Sequence, residues 1–535
     1  MRILLPFLFL ISFFSTFGNT RYYIQFKDKN SNADLKKEFS AKALEKKARL
    51  NIAFDKRDIP VNEQYLLALR TDGIVVESVS KWLNTAIIVV PDGKDLLKYK
   101  FITSIYAIRD VKTKIHKKGI SSLEECLEEA VYDDSVYINS YPQFHIMDGE
   151  YLHSLGFNGE NMTIAVCDAG FQNANTMGAF AQLYSQGRIK GTYDYVHNDS
   201  SVADPSDHNH GTMCLSTIAG WIADKYKGGA INADFYLFQT ENASTERIIE
   251  EYNLARALER CDSLGVDVVS ISLGYTTFDV SSEDHDSLMM MQNSTPAAKA
   301  VNMAVSKGMV VCVAAGNEGN GSWHYISTPS DADSAIAVAA VDMGGNPASF
   351  SGWGLAQDSR VKPNVACVGA GTAVISPSNT VVYGSGTSFA CPSMAGFVTC
   401  LWQAFPSRTP WQVKTALEQS ASKFLNPDKK VGYGIPDFKK AYDILSQTPP
   451  VTDNRELEDL FMFYPVPVVN NFSIVGISDL KINSISITDF YGNRLYQQTS
   501  DATRVDLSMM DYLSGIYFVR INTDKGYLIK KIIKL

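Results

Sequence analysis

Four short segments carry the side chains that acyl transfer at a carbonyl would need. Ser388 stands in Gly384-Ser385-Gly386-Thr387-Ser388-Phe389-Ala390-Cys391-Pro392, where small residues leave room for a substrate backbone to approach a hydroxyl nucleophile. His210, in His208-Asn209-His210-Gly211-Thr212, is the candidate base, because imidazole takes and returns a proton near neutral pH. His208 lacks the following Gly-Thr that lets a main chain pass close by, and it is set aside. Asp168, in Val166-Cys167-Asp168-Ala169-Gly170, could orient that imidazole and stabilise its charged form. Asn317, in Ala314-Ala315-Gly316-Asn317-Glu318-Gly319, offers an amide donor to a developing oxyanion. Taken singly, each has an ordinary explanation: a helix cap for Ser388, a turn residue for Asp168, a turn residue with positive φ for Asn317.

The elements that must hold these side chains are legible around them. Apolar runs at 163–167, 234–238, 266–273, 309–314 and 335–341 predict strands, and 245–264 and 296–307 predict helices between them. Strands alternating with helices, rich in Val and Ile, predict a parallel α/β sheet covered on both faces. Asp168 and Asn317 then end buried strands, where open parallel sheets carry functional side chains. Small and apolar residues at 390–404 predict a helix after Ser388, with Pro392 in its first turn, where a missing N–H costs nothing. The stretch 213–222 predicts another helix after His210.

In the order Asp, His, Asn, Ser, these segments resemble the subtilisin-like serine peptidases, the subtilase family. Asp-x-Gly, His-Gly-Thr, Ala-Ala-Gly-Asn and Gly-Thr-Ser-x-Ala-x-Pro are all present, as are Ser272-Leu273-Gly274, Ser349-Phe350-Ser351-Gly352 and Arg360-Val361-Lys362-Pro363. The resemblance implies Asp168 as orienting acid, His210 as general base and acid, Ser388 as nucleophile and Asn317 as oxyanion donor. It also implies a substrate wall at Ser272, Leu273 and Gly274, and a pocket for the residue before the scissile bond lined by that wall with Ala314, Ala315 and Gly316. Two positions depart from the family: Ala169 replaces the usual Ser or Thr, removing a hydroxyl near the carboxylate, and Phe389 replaces the usual Met. A lipase would want a G-x-S-x-G elbow and the order Ser, Asp, His, which this chain does not follow. The remaining rival is an inactive subtilase-like protein that binds peptides or acts as a surface adhesin.

The chain is 535 residues long, which suggests several domains. Residues 1–19, a charged start followed by an apolar run too short to span a bilayer, predict a signal peptide. Residues 20–118 predict a small α+β unit, with strands at 22–26, 73–79 and 85–90 and helices at 34–50 and 95–101; by its position it resembles the family's inhibitory propeptide. It closes on a basic run at 112–118, before an acidic stretch at 121–129, and an exposed polar junction of this kind is where processing falls. The peptidase domain is expected over 119–446 and a Pro-rich linker over 447–460. Residues 461–535, with alternating strands such as 484–489 and 515–522 and turns at 491–493 and 524–526, predict a small β-sandwich. Phe463-Tyr464-Pro465-Val466-Pro467, Leu513-Ser514-Gly515-Ile516-Tyr517 and the Lys530-Lys531 end resemble the type IX secretion sorting domain, although Val466 stands where that family usually has Asn. That resemblance implies a zymogen exported to the medium or outer surface of a Gram-negative cell, with the secretion machinery and protein or peptide substrates as partners.

A net charge of −9 supplies no basic face for nucleic acid, and no later segment is long and apolar enough to span a membrane. The eight cysteines show neither C-x-x-C pairs nor companion histidines, so no metal site and few or no disulfides are expected. No cofactor is expected either. Structural calcium, common in the family, maps to no acidic loop here, and the acidic stretch 204–207 reads as a solvated loop.

Overall fold

A computed structural model describes residues 19–29, 35–108, 137–447, 461–476, 480–489, 494–523 and 526–535. The expected leader up to residue 18, the basic run at 112–118, the acidic stretch at 121–129, the linker around 448–453 and the turn at 491–493 lie outside the described residues, as does most of the turn at 524–526. The chain divides into one unit ending at Thr448 and a second beginning at Pro449.

In the first unit, strands β1 (Asn19–Phe26), β2 (Val75–Ser80), β3 (Thr85–Pro91) and β4 (Ile102–Ile108) form an antiparallel sheet in the order β2-β3-β1-β4. Helices α1 (Ala41–Arg49) and α2 (Glu63–Thr71) accompany it. The helix expected over 34–50 is interrupted at Ser40, whose Oγ accepts from Ala43 N and caps α1. The helix expected over 95–101 is a series of turns, whereas α2 and β4 lacked a clear sequence signal.

The larger sheet has seven parallel strands: β5 (Thr163–Asp168), β6 (Ile189–Asp194), β7 (Asp234–Gln239), β8 (Val268–Ile271), β9 (Val310–Ala314), β10 (Ile336–Val341) and β11 (Val365–Val368). Their order is β11-β10-β9-β8-β5-β7-β6. From β5 the chain goes to β6 at one edge, returns through β7 beside β5, and then passes to β8 on the other side and outward to β11, so β5 sits at the point where the strand order reverses. A crevice opens beyond the strand ends at such a point, and Asp168 ends β5.

Helices α3 (His210–Ala219), α4 (Ile249–Leu264), α5 (Pro296–Ser306) and α6 (Thr387–Ala404) cover the two faces. Alternation along β5 divides the core: Ile164 and Val166 join Leu215 and Phe397 on one face, and Ala165 and Cys167 join Leu254 and Ala300 on the other. Each large apolar side chain buried in these layers contributes roughly 1.5–3 kcal/mol. All residues of α6 from Thr387 to Trp402 are buried, which accounts for its small and apolar composition.

The N-terminal elements lie against α4 and α5. Glu259 of α4, itself buried, accepts from Trp82 N at 3.1 Å and Lys81 N at 3.0 Å, and from the Ser80 hydroxyl. Lys47 and Asp262 form a buried ion pair at 2.7 Å, and Lys307 of the next turn after α5 meets Asp58 at 2.6 Å. Breaking such a pair leaves an uncompensated buried charge, so these contacts fix the register of the segment on the two helices. Tyr23 of β1 stacks on Tyr252 of α4 with ring centroids 3.9 Å apart.

The second unit is all β. Strands β12 (Phe461–Tyr464), β13 (Asn471–Gly476) and β16 (Arg504–Ser508) make one antiparallel sheet. Strands β14 (Ile482–Asp489), β15 (Arg494–Ala502), β17 (Gly515–Thr523) and β18 (Gly526–Lys534) make the other. Phe472, Ile474 and Leu507 from the first sheet meet Ile485, Val519 and Ile521 from the second in one core, which makes the unit a sandwich.

The seven described cysteines, all but Cys126, are buried free thiols. Burial pushes them up, Cys391 to about 12, so they behave as small apolar side chains. Among the described residues no helix is long and apolar enough to cross a membrane.

Candidate active site

Asp168 leaves the end of β5 fully buried, and α3 begins with His210 above it. The two approach because Gly211 has no side chain: a Cβ there would strike the Gly170 carbonyl and stand 2.9 Å from Asp168 Cβ. His210 Nδ1 lies 2.7 Å from Asp168 Oδ1, which also accepts from Ala169 N at 2.8 Å. Asp168 Oδ2 has no hydrogen-bond partner. Residue 169, next in the chain, is the alanine that stands where the resemblance leads one to expect a hydroxyl. His208 accepts from His210 N at 3.3 Å through its Nδ1 and lies on the cleft wall, away from the carboxylate pair.

Ser388 lies in the first turn of α6, 6% exposed. The helix begins at Thr387, three residues earlier than the sequence suggests, and this moves Pro392 beyond the first turn. Its absent N–H would have bonded to the Ser388 carbonyl. That carbonyl instead accepts from Ser272 Oγ at 2.9 Å and from the Cys214 thiol at 3.2 Å. The Ser388 Oγ itself lies 3.4 Å from the Ser272 carbonyl oxygen.

Asn317 follows the end of β9 by three residues, and the positive φ of this loop falls on Gly316 (101°), not on Asn317. Its Oδ1 accepts from Thr387 N at 2.9 Å and Thr387 Oγ1 at 3.0 Å, while Thr387 Oγ1 also accepts from Gly316 N at 3.1 Å. With the amide oxygen held in this way, Nδ2 is the end of the amide left to donate. Thr387 thus joins the loop of Asn317 to the turn of Ser388; sequence reading gave it no role beyond its place in a Gly-Thr-Ser tripeptide.

One cleft is lined by His210, Ser388 and Asn317 together with Ser272, Leu273, Gly274, Ala314 and Gly316. Ala315 does not line it. Alternation turns that side chain the other way, into a cluster with Met290, Ile326 and Leu355. The cleft also holds Glu241, Glu246 and Ser327, which sequence reading missed because each lies outside the matched motifs.

Residues 159–434 match the Subtilase family, residues 21–122 the Peptidase S8 propeptide domain of Bacteroidota, and residues 462–535 the secretion system C-terminal sorting domain. Subtilisin DY of Bacillus licheniformis is 28% identical over 279 residues, 52% of this chain and 89% of its own. Subtilisin E of Bacillus subtilis (strain 168) is 27% identical over 353 residues, 65% of this chain and 83% of its own. Among solved structures, one described as proteases from Pseudoalteromonas arctica PAMC 21717 is 21% identical with a TM-score of 0.46, covering 58% of this chain and 100% of that one. The chain is a serine-type endopeptidase. It belongs to the subtilase family, carries a Bacteroidota propeptide segment and a sorting tail, and is a secreted or cell-surface zymogen of that phylum.

Proposed function

We propose that the enzyme hydrolyses peptide bonds through an acyl-enzyme formed on Ser388, with His210 and Asp168 completing the triad. The observation that carries this reading is the 2.7 Å contact between His210 Nδ1 and Asp168 Oδ1 in a cleft shared with Ser388. Asp168 Oδ1 accepts a hydrogen bond from the His210 Nδ1–H, which keeps Nε2 as the basic nitrogen. Ser388 Oγ attacks the scissile carbonyl as its proton passes to His210 Nε2. The carbonyl oxygen becomes an oxyanion, held by Asn317 Nδ2 and the Ser388 N–H, which lies in a first turn with no helical acceptor of its own. His210 then gives the proton to the leaving amine, and water enters by the reverse sequence to free the acid.

The substrate lies extended along Ser272–Gly274, and the side chain before the scissile bond enters between that segment and Ala314 and Gly316. The N-terminal segment holds the enzyme as a zymogen, and the C-terminal sandwich presents it to the secretion machinery. No cofactor enters these steps, and no structural calcium is assigned.

A fluorophosphonate probe tests the reading on the full chain and on Ser388→Ala. Labelling of the first only, with casein cleavage and loss of an N-terminal piece of roughly 110 residues, is the expected result. Absence of labelling after removal of the N-terminal segment would favour a peptide-binding protein without activity.

A further inference from the structure

We propose that Ser327 sets the substrate class of the cleft: its side chain closes the pocket between Gly274 and Gly316, so the enzyme cuts after short side chains such as alanine and serine and turns aromatic ones away. The inference deepens the proposed function and rests on the triad and the substrate wall assigned there.

The proposed pocket lies between two stretches of main chain, Ser272–Gly274 and Ala314–Gly316. Both end in glycine, which taken alone would leave a wide slot for the side chain before the scissile bond. Ser327 fills that slot. It is 3% exposed and lines the same cleft as the two glycines. A Cβ added to Gly274 would fall 2.0 Å from Ser327 Oγ, and one added to Gly316 would fall 2.6 Å from the same atom. The space in front of both glycines is thus held by one hydroxyl. A ring passing between two walls needs roughly 3.5 Å of clearance from each atom it meets, and the points just inside either glycine lie well short of that. Turning the hydroxyl does not clear the slot, because Ser327 Cβ itself stands 2.9 Å from the first of these points and 3.3 Å from the second.

The main chain of Ser327 is tied to both walls. Its N–H donates to the Ala315 carbonyl at 3.0 Å. The next residue, Thr328, exchanges two hydrogen bonds with Tyr275, which follows Gly274: Thr328 N donates to the Tyr275 carbonyl at 3.1 Å, and Tyr275 N donates to the Thr328 carbonyl at 2.8 Å. The Ser327 carbonyl accepts from Ser330 N at 3.0 Å and from Ser330 Oγ at 2.6 Å. Residues 326–332 are all buried, so withdrawing Ser327 would strand several backbone groups away from water. The floor of the pocket stays where it is when substrate arrives.

Selection then works by a clash with the larger side chain and asks for no added attraction to the smaller. A methyl or hydroxymethyl group stops above Ser327. An aromatic ring must push that residue aside or remain in solvent and forfeit its burial.

The matured full-length enzyme is assayed on fluorogenic Ala-Ala-Pro-Ala and Ala-Ala-Pro-Phe amides, beside Ser327→Ala and Ser327→Gly. The unsubstituted enzyme should favour the alanine peptide in kcat/KM by about tenfold or more. Ser327→Ala, which loses the hydroxyl, should narrow the ratio, and Ser327→Gly, which loses Cβ as well, should move it toward phenylalanine by at least about tenfold. Labelling with the fluorophosphonate probe reports which variants retain an assembled site; should Ser327→Gly fail to label, Ser327→Ala, which lacks a single oxygen, carries the comparison. Labelled enzyme that cuts the phenylalanine peptide equally well or better, or a ratio that no labelled variant moves, overturns this inference and leaves the triad standing. Enzyme that cannot be labelled once its N-terminal segment is removed overturns the triad, and this inference with it.

Discussion

Pro392 stands four residues after Ser388 and has no N–H to return to the Ser388 carbonyl, and two side chains from other elements, Ser272 Oγ and the Cys214 thiol, occupy that oxygen instead. A helix interior normally holds its own carbonyls. Here the turn bearing the proposed nucleophile is tied to the proposed substrate wall through Ser272 and to α3, the helix of the proposed base, through Cys214. Three segments distant in sequence are drawn to one carbonyl.

This arrangement makes Ser272→Ala destabilising by about 1–2 kcal/mol, because a buried acceptor loses its stronger partner. Pro392→Ala restores the helical N–H and should recover part of that loss. Urea midpoints of the two single variants and the double, all in a Ser388→Ala background that prevents autolysis, measure the coupling. Additive effects would show that the two residues do not share the carbonyl.

Asn317→Asp keeps the size of the side chain and the oxygen that holds Thr387, and removes its donor. The expected loss is about 10²–10³ in kcat with a much smaller change in KM, since the oxyanion exists only after attack. Steady-state kinetics on a peptide amide decide it, and a loss confined to KM would place Asn317 in substrate binding alone.

Ala169→Ser returns a hydroxyl next to the unpartnered Asp168 Oδ2. A new hydrogen bond to a buried carboxylate should stabilise the fold by about 1–2 kcal/mol. A rise in Tm with retained kcat is the expected outcome, read by calorimetry on Ser388→Ala and Ala169→Ser/Ser388→Ala. An unchanged Tm would mean that the hydroxyl turns elsewhere.

Acid should destabilise the first unit through His153. Its Nε2 bonds to the Gly229 carbonyl at 2.8 Å and its Nδ1 contacts the Tyr137 hydroxyl. Burial, helped by the nearby Lys227 charge, pushes its pKa from 6.5 to about 4. The unfolded chain therefore binds the proton first as pH falls. The stabilisation is complete above about pH 6.5 and is lost progressively down to about pH 4, by at most about 3 kcal/mol. Denaturant titrations across this range should show the slope, and His153→Gln should flatten it.

Glu259→Ala removes the acceptor shared by Ser80, Lys81 and Trp82. The N-terminal piece should then bind the matured enzyme more weakly by about 2 kcal/mol, roughly thirtyfold. Its residence time after cleavage, followed by gel filtration, reports the change.

Legibility differed by element. The sheet was readable because strands buried on both faces are near-continuous runs such as Val310-Val311-Cys312-Val313. The four proposed catalytic positions were readable because each lies in a short motif at a strand end or helix start. Ala315 was misplaced because a motif names consecutive residues, whereas an extended chain turns alternate side chains to opposite sides. The start of α6 was set too late because Gly386-Thr387-Ser388 looks like a turn by composition, and its helical conformation depends on Asn317, seventy residues away, accepting from Thr387 N. Glu241, Glu246 and Ser327 enter the cleft only by tertiary assembly, and no local pattern marks them.

The seven buried thiols bear on export. Each of these sulfurs is enclosed by apolar side chains, so the seven described cysteines form no bridge that an oxidoreductase would have to make or proofread. Among the described residues, then, no covalent bond between side chains has to be made before the sheet and its covering helices close, and packing alone assembles them.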